Sequence, residues 1–366
     1  MNFTLKNFLQ GFGIIAVILT LLPLIAVDYW WIRIFDFPHA QLTGLTLIAI
    51  ITYFIKFDIK YYNDYLFVFI LISCFVYQFS KIHAYTPLSS YEANESTITD
   101  TANTLNIYTA NVLQKNREYQ LLLDQVAQKN PDIVLLMETD VQWKNAVHKT
   151  LSSSHPYFML EPLDNTYGML LYSRLPMSQN KINHLVDKEI PSMEAIVTLE
   201  SGNQFQLFAI HPTPPMPQHN PMSSDRDTEM MTTALRVYKR EMPVIVMGDF
   251  NDVAWSETTS LFRKTSTLLD PRIGRGFYNT FNAQNVLMRW PLDHLFVSEE
   301  FRVKTLNRTK DIKSDHFPMY TELTFEPEKA KEQKAEKPSK EILERAQSQL
   351  KEQHLLNMEM PTISSD

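Results

Sequence analysis

Six short apolar runs in this 366-residue chain end or begin in residues able to bind a cation or move a proton. TLNIYTAN closes on Asn111, DIVLLME on Glu138, QFQLFAIH on His211, and VIVMGDFN on Asp249, Phe250 and Asn251. PLDHLFVS opens with Asp293 and His294, and KSDHFPMYTELTF sets Asp315 and His316 just before a last strand. Taken singly, a carboxylate or Asn at a strand end is a turn or cap residue. Six such ends in one segment instead point to a shared rim, where Glu, Asp, Asn and His make a hard-cation phosphate site. Oxygen ligands such as Glu138 and Asp315, with no thiolate nearby, suit Mg²⁺ or Mn²⁺ rather than structural zinc. A His beside an independent Asp suits an oriented acid–base pair. Neutral donors such as Asn111, Asn251 and a second His can hold phosphoryl oxygens as charge develops.

The elements that carry these residues occupy 104–325, where apolar strand-like runs alternate with helical spacing such as Tyr119, Leu122, Leu123 and Val126. This region reads as one α/β domain. Residues 1–80 are different. Their few charges separate three apolar stretches, 7–27, 37–55 and 65–80, of which the third is the shortest. The first is long enough to cross a hydrocarbon core. Pro23 within it is tolerated in a span, and the cluster Tyr29, Trp30, Trp31 suits a membrane–water interface. A cleaved signal peptide would be followed by soluble chain rather than two more apolar blocks. The expectation is therefore an all-α transmembrane region of about three helices. Lys6, Lys56 and Lys60 on one side, against Arg33 and Lys81 on the other, place the N-terminus inside and the large domain outside. The single cysteine, Cys74, lies within the third stretch and does not report the compartment. Residues 81–103 read as a polar linker, and 326–366 as a charged, flexible tail.

The order NVL, METD, AIHPTPP, GDFND, PLDHLFVS and SDHFP resembles the endonuclease/exonuclease/phosphatase superfamily, which includes DNase I-like enzymes. The wording HPTPP, GDFN..AWS and PLDH is similar to a bacterial membrane-anchored branch that includes teicoplanin-resistance membrane proteins. The resemblance implies a four-layer α/β/β/α sandwich and a metal-dependent hydrolase of phosphoric esters. It also implies roles. Glu138 would bind the metal with Asn111 in support and Asp315 as a nearby or direct contact. Asp249 and Asn251 would orient the attacking water and touch the phosphate. Asp293 would fix His316, and His211 would face the opposite side of the scissile phosphate. Around IPSMEAIV many family nucleases place a phosphate-holding arginine, and here Met193 and Glu194 stand there. The Pro-rich run after His211 reads as a stiff rim around the cleft, and Trp255 as a pocket wall or as packing.

Composition limits the substrate. One cysteine and eight glycines exclude a disulfide framework, a Cys-rich zinc module and a collagen-like chain. A net charge of −7, with no basic cluster beyond Arg236, Lys239 and Arg240, disfavours a protein built to grip nucleic acid. The reading is thus an Mg²⁺-dependent hydrolase of the bacterial inner membrane, multi-pass, with a periplasmic catalytic domain. Its partners would be the bilayer, through the N-terminal helices, and a lipid-linked or small phosphate ester or pyrophosphate. An extracytoplasmic nuclease on DNA or RNA is the alternative, and a catalytically inactive membrane-bound binding module the alternative of another class. Nothing in the sequence sets an oligomeric state.

Overall fold

The computed structural model describes residues 4–22, 34–214 and 224–359. Pro23, Tyr29, Trp30, Trp31 and Arg33, and the Pro-rich run beyond residue 214, lie outside these. The chain opens with three helices, α1 (Leu5–Leu21), α2 (His39–Tyr53) and α3 (Tyr62–Ile82). Their polarity is inverted relative to a soluble bundle. Phe8, Ile14, Ile15 and Ile18 of α1, Ile48 and Ile51 of α2, and Phe69 and Val76 of α3 are exposed. Polar groups turn inward: Lys6 Nζ meets Asp64 Oδ2 at 2.6 Å, and Tyr53 Oη donates to Asp64 Oδ1 at 2.9 Å. The Thr20 hydroxyl donates to its own helix at the Ala16 carbonyl, 2.8 Å away. Among the described residues one helix, Tyr62–Tyr85, is long and apolar enough to cross a membrane; α1 runs only 17 residues and α2 15. The third apolar stretch, shortest in sequence, thus forms the longest helix. It is extended at one end by Tyr62–Asp64 and at the other by Lys81 through a 3-10 turn at His83–Tyr85.

The large domain is an α/β/β/α sandwich. Its strands are β1 (Thr104–Asn111), β2 (Ile133–Met137), β3 (Tyr157–Glu161), β4 (Met169–Ser173), β5 (Met177–Asn183) and β6 (Ser192–Thr198). They are followed by β7 (Gln204–Ile210), β8 (Val244–Asp249), β9 (Asp293–Val297), β10 (Phe301–Arg308) and β11 (Met319–Phe325). One sheet has the order β10-β11-β1-β2-β4-β3 and the other β5-β6-β7-β8-β9. In β1 and β2 both faces are apolar, so Ile107, Leu135 and Met137 pack between the sheets. Tyr108, Val134 and Leu136 point the other way, onto α4 (Tyr119–Lys129) and α5 (Val141–Ser154). The second sheet is backed by α6 (Ser224–Tyr238) and α7 (Glu257–Ser266). A strand buried on both faces reads as a continuous apolar run rather than an alternation.

Two segments are more ordered than their composition suggests. The expected linker lies along the domain: Tyr85 is buried and donates to the Ala254 carbonyl at 2.8 Å, and Glu92 pairs with Arg263 at 2.5 Å. Ala93 is fully buried in the central core. The tail forms α8 (Lys340–Glu359), whose Ile342, Ala346 and Leu350 pack against the α6–α7 face. Those three apolar residues at helical spacing are enough to dock one face of a charged segment.

Candidate active site

The expected site residues converge on one rim because parallel and antiparallel pairings bring their strand ends together. Asn111 pairs with Met137, one residue before Glu138, and Ile210 pairs with Gly248, so His211 lies beside Asp249. Strand β9 runs antiparallel to β8, which places Asp293 at its start directly opposite Asp249 at the end of β8. The sheets themselves meet here: the Asp249 N–H points at Met137 Sδ, 3.1 Å away. Gly248 is needed at this crossing. Its φ is +147°, and a Cβ would lie 1.9 Å from the Ile210 carbonyl oxygen. Gly248→Ala should therefore cost at least about 1–3 kcal/mol in urea unfolding and misplace Asp249. Glu138 and Asn251 both sit in the left-handed region, at φ 59° and 50°. Backbone strain of that kind recurs at functional sites.

The side chains form one connected network. Asn111 Nδ2 donates to Glu138 Oε1 at 2.8 Å and to Asp249 Oδ2 at 3.0 Å, bridging two carboxylates from different sheets. The Gln114 N–H donates to Glu138 Oε2 at 3.3 Å. Asp249 Oδ1 accepts from the Asn251 N–H at 2.9 Å, while the Asn251 amide donates to the Pro212 carbonyl. His316 Nδ1 meets Asp293 Oδ2 at 2.7 Å and turns Nε2 toward Asp249 Oδ2, 3.6 Å away. His211 Nε2 approaches the same oxygen from another side at 3.9 Å. Its buried Nδ1 has no partner among the described residues. Asp315 is half-buried, and its backbone carbonyl accepts from the Ala283 N–H at 2.6 Å.

Electrostatics divide these groups into roles. Burial pushes the Glu138 carboxyl up to about 7, outweighing the Asn111 hydrogen bond. Burial opposes charge on His316 as well, but Asp293 and Asp249 hold its imidazolium up to about 10. Asp249 moves the other way: despite burial, the His316 imidazolium, aided by the Asn111 hydrogen bond, brings it below the usual carboxylate range. Burial lowers His211, which keeps that ring neutral. The rim thus holds an ionised acceptor, a protonated donor and a neutral imidazole within one cluster.

The donor set fits a divalent cation, and one edge fits better than the other. Asp249, Asp293 and His316 lie close enough to hold a metal. Yet the His316 imidazolium already occupies the space between their carboxylates and supplies the balancing charge. Glu138 instead is a half-buried carboxylate whose hydrogen-bond donors among the described residues are neutral, and Asp315 lies near enough to raise its pKa. A hard cation on Glu138 would supply the missing positive charge. Asn111 already spends its amide N–H groups on Glu138 and Asp249, and its Oδ1 on the Leu113 N–H, so it orients Glu138 in this structure.

Several neighbours of the rim do other work. His294, next to Asp293, faces the opposite side of β9 and touches Arg272 Nη2 at 2.7 Å and the Asp252 carbonyl at 2.9 Å. Strand alternation separates the two residues. Met193 packs in the central core, and Glu194 meets Arg236 and Gln206 on the outer face. Trp255 donates from Nε1 to the Asp36 carbonyl at 2.9 Å and helps seat the helices on the domain. Some site residues were given no role by the sequence: Thr280 Oγ1 accepts from the Asp293 N–H, Ser314 Oγ, at the head of the SDH motif, donates to the Asn111 carbonyl, and the Tyr167 ring lies 5.4 Å from His211. The buried Arg272–Asp270 pair, with contacts of 2.9 and 2.8 Å, was equally silent in sequence. Its only signal is two opposite charges at i, i+2 in an apolar segment. Arg272→Met should leave Asp270 buried without its partner and lower stability by about 3–5 kcal/mol, measurable by urea unfolding.

A family model described as "Endonuclease/Exonuclease/phosphatase family" matches residues 103–316, more than half of the chain. The chain belongs to this endonuclease/exonuclease/phosphatase family. Its enzymes hydrolyse phosphoric esters, typically with a divalent metal, and this member is a phosphoester hydrolase. No curated protein matches the chain. D. rerio TDP2 humanised by 14 mutations is similar at TM-score 0.51 and 18% identity, over 61% of this chain and 99% of its own. The human Nocturnin catalytic domain with bound sulfate is similar at 0.50 and 16%, over 61% and 94%. An endonuclease/exonuclease/phosphatase from Beutenbergia cavernae DSM 12333 is similar at 0.50 and 13%, over 61% and 72%. At these identities the family member shares a fold with each of them.

Proposed function

We propose that the protein is a membrane-anchored, Mg²⁺-dependent hydrolase of a lipid-linked or small phosphate ester or pyrophosphate, acting by in-line attack of water. The observation that carries the reading is the joining of a phosphoester-hydrolase rim to a helical bundle that shows apolar side chains outside and encloses polar groups such as Asp64, Tyr53 and Gln78 inside. Such a bundle hides its hydrogen-bonding groups from a solvent that cannot satisfy them. With α1 and α2 spanning beside α3, the charged end bearing Lys6, Lys56, Lys60 and Asp64 lies at the far end from the catalytic domain, which Ile82 and Tyr85 contact. That arrangement agrees with an N-terminus inside, a multi-pass inner-membrane anchor and a periplasmic domain. The likeness of HPTPP, GDFN and PLDH to the membrane-anchored branch supports it.

Glu138, with Asp315 nearby, would hold the cation, and bound there Mg²⁺ supplies Lewis-acid polarisation of a phosphoryl oxygen. Asp249, ionised and buried, orients the attacking water and accepts its proton at Oδ2. His316, kept protonated by Asp293, donates to phosphoryl oxygen as negative charge builds. Neutral His211 presents a ring nitrogen on the facing side, and Asn251 adds an amide donor. An extracytoplasmic nuclease is the second reading, favoured by the similar fold of a D. rerio TDP2 solved with single-strand DNA product. The intact network argues against an inactive binding module.

The direct test compares the purified protein with Mg²⁺ on a polyprenyl pyrophosphate, a phosphoinositide and plasmid DNA. Turnover of a lipid substrate well above DNA is the expected result. Rapid DNA cleavage with no lipid turnover would overturn the ordering. An alkaline phosphatase fusion after residue 103, active only outside the cytosol, checks the topology.

A further inference from the structure

The segment Asn282–Arg289 (NAQNVLMR) carries three consecutive apolar side chains at an exposed tip. Val286 is 79% exposed, Leu287 78% and Met288 48%. The segment has no acidic residue. It is anchored at both ends. On the membrane side, Gln41 at the start of α2 donates through Nε2 to the Leu287 carbonyl at 2.9 Å. The Trp290 ring, buried at the base of the loop, meets Phe37 edge-on at 5.6 Å. On the catalytic side, the Ala283 N–H donates to the Asp315 carbonyl at 2.6 Å, and the Phe281 ring lies 5.0 Å from His316. One short segment thus joins the end of the apolar bundle to two residues of the rim.

Two arginines flank it on the catalytic side. Arg289 and Arg308 both lie over the ring of Phe317, at 4.9 and 4.3 Å, and Phe317 directly follows His316. Among the described residues Arg289 donates to the backbone carbonyls of Asn282 and Ala283, and Arg308 to that of Asn279. Among the described residues neither guanidinium has a carboxylate partner. Two cations stacked on one phenyl ring, with no carboxylate partner among the described residues, are suited to a multiply charged anion. On β6, where many family nucleases carry a phosphate-holding arginine, Met193 and Glu194 stand instead, one in the core and one on the outer face.

We propose that Asn282–Arg289 dips its Val286–Met288 tip into the bilayer leaflet next to the catalytic domain, and that Arg289 and Arg308 receive the phosphate head group of a membrane lipid there. This rests on the lipid-linked reading of the substrate and specifies how such a substrate reaches the rim. The occupant of the exposed tip is the lipid surface itself, since Gln41 ties the tip to α2, whose Leu47, Ile48 and Ile51 are likewise exposed. Apolar tips with basic neighbours bind lipid by burying hydrocarbon while the cations meet anionic head groups.

The test uses the full chain in phosphatidylcholine nanodiscs doped with a polyprenyl diphosphate. Leu287→Cys in a Cys74→Ala chain, labelled with a fluorophore, should be quenched by lipids carrying a nitroxide near the head group. Val286→Ser, Leu287→Ser and Met288→Ser together should lower the ratio of lipid to water-soluble aryl phosphodiester kcat/KM by about tenfold. Arg289→Gln and Arg308→Gln should each raise KM for the lipid about fivefold, with kcat nearly held. No quenching overturns the loop's role even if lipid is hydrolysed. Quenching without lipid turnover by the wild type overturns the lipid reading, and the head-group role with it, while leaving the contact with membrane intact. An unchanged KM for the lipid in both arginine variants also overturns the head-group role.

Discussion

Asp249→Asn should lower kcat/KM by about 10³–10⁴-fold while the protein keeps its fold. The substitution preserves volume and removes only the charge and the acceptor. In the native site Asp249 Oδ2 is approached by the Asn111 amide at 3.0 Å, His316 Nε2 at 3.6 Å and His211 Nε2 at 3.9 Å. Those donors keep the carboxyl ionised despite its burial, so it can accept a proton from water at neutral pH. An amide can neither accept that proton nor balance the His316 imidazolium. Its –NH₂ would in turn face the Asn111 amide donor. Circular dichroism and a thermal melt distinguish loss of chemistry from loss of fold. A folded Asp249→Asn protein retaining most of its activity would sink the assignment.

The second large effect concerns Glu138 and the cation. Burial raises its carboxyl from an ordinary 4.5 to about 7, so ionising it costs the folded state. The sign follows from linkage. A folded pKa above the unfolded one means that the cation-free protein loses stability as pH rises from about 4.5 to about 7, and then levels off. A bound divalent cation reverses that loss, because it favours the ionised form. Below pH 7 it must displace a proton, so its affinity should fall about tenfold per pH unit. Mg²⁺ at about a hundred times Kd should add about 2.7 kcal/mol near pH 8, and much less near pH 5. Glu138→Gln should abolish both the Mg²⁺-dependent rise in Tm and turnover. A rise in Tm equal to the wild type's in that variant would place the cation elsewhere, most directly at Asp249, Asp293 and His316.

Much of the rim was legible because strand ends announce themselves. An apolar run that stops at Asn111, Glu138, His211 or Asp249 marks where a buried strand reaches solvent, and those residues do meet in space. Side-chain direction was less legible. Asp293 and His294 are adjacent and chemically alike as candidates, yet only Asp293 faces His316; the other joins Arg272 on the far side of β9. Thr280 and Tyr167 carry no pattern, because a hydroxyl becomes part of a site only through what is folded against it. Polar composition at residues 81–103 and charged composition at 326–359 hid how far these segments lie along the domain. A few buried residues, Tyr85, Ala93 and Ala346 among them, hold those segments to the domain.

By itself the sequence determined the division into an apolar helical region and an α/β domain, the family of that domain, and which residue types stand at its strand ends. Those properties follow from local composition and period. Only the tertiary structure decided that Asn111 bridges Glu138 to Asp249, that His294 turns away from the rim onto Arg272, and that Asn282–Arg289 ties the rim to the helices. Each of these joins residues far apart in the chain, and the joining depends on how two sheets pack face to face. A hydrogen bond formed across that packing leaves no periodic trace in the order of the amino acids.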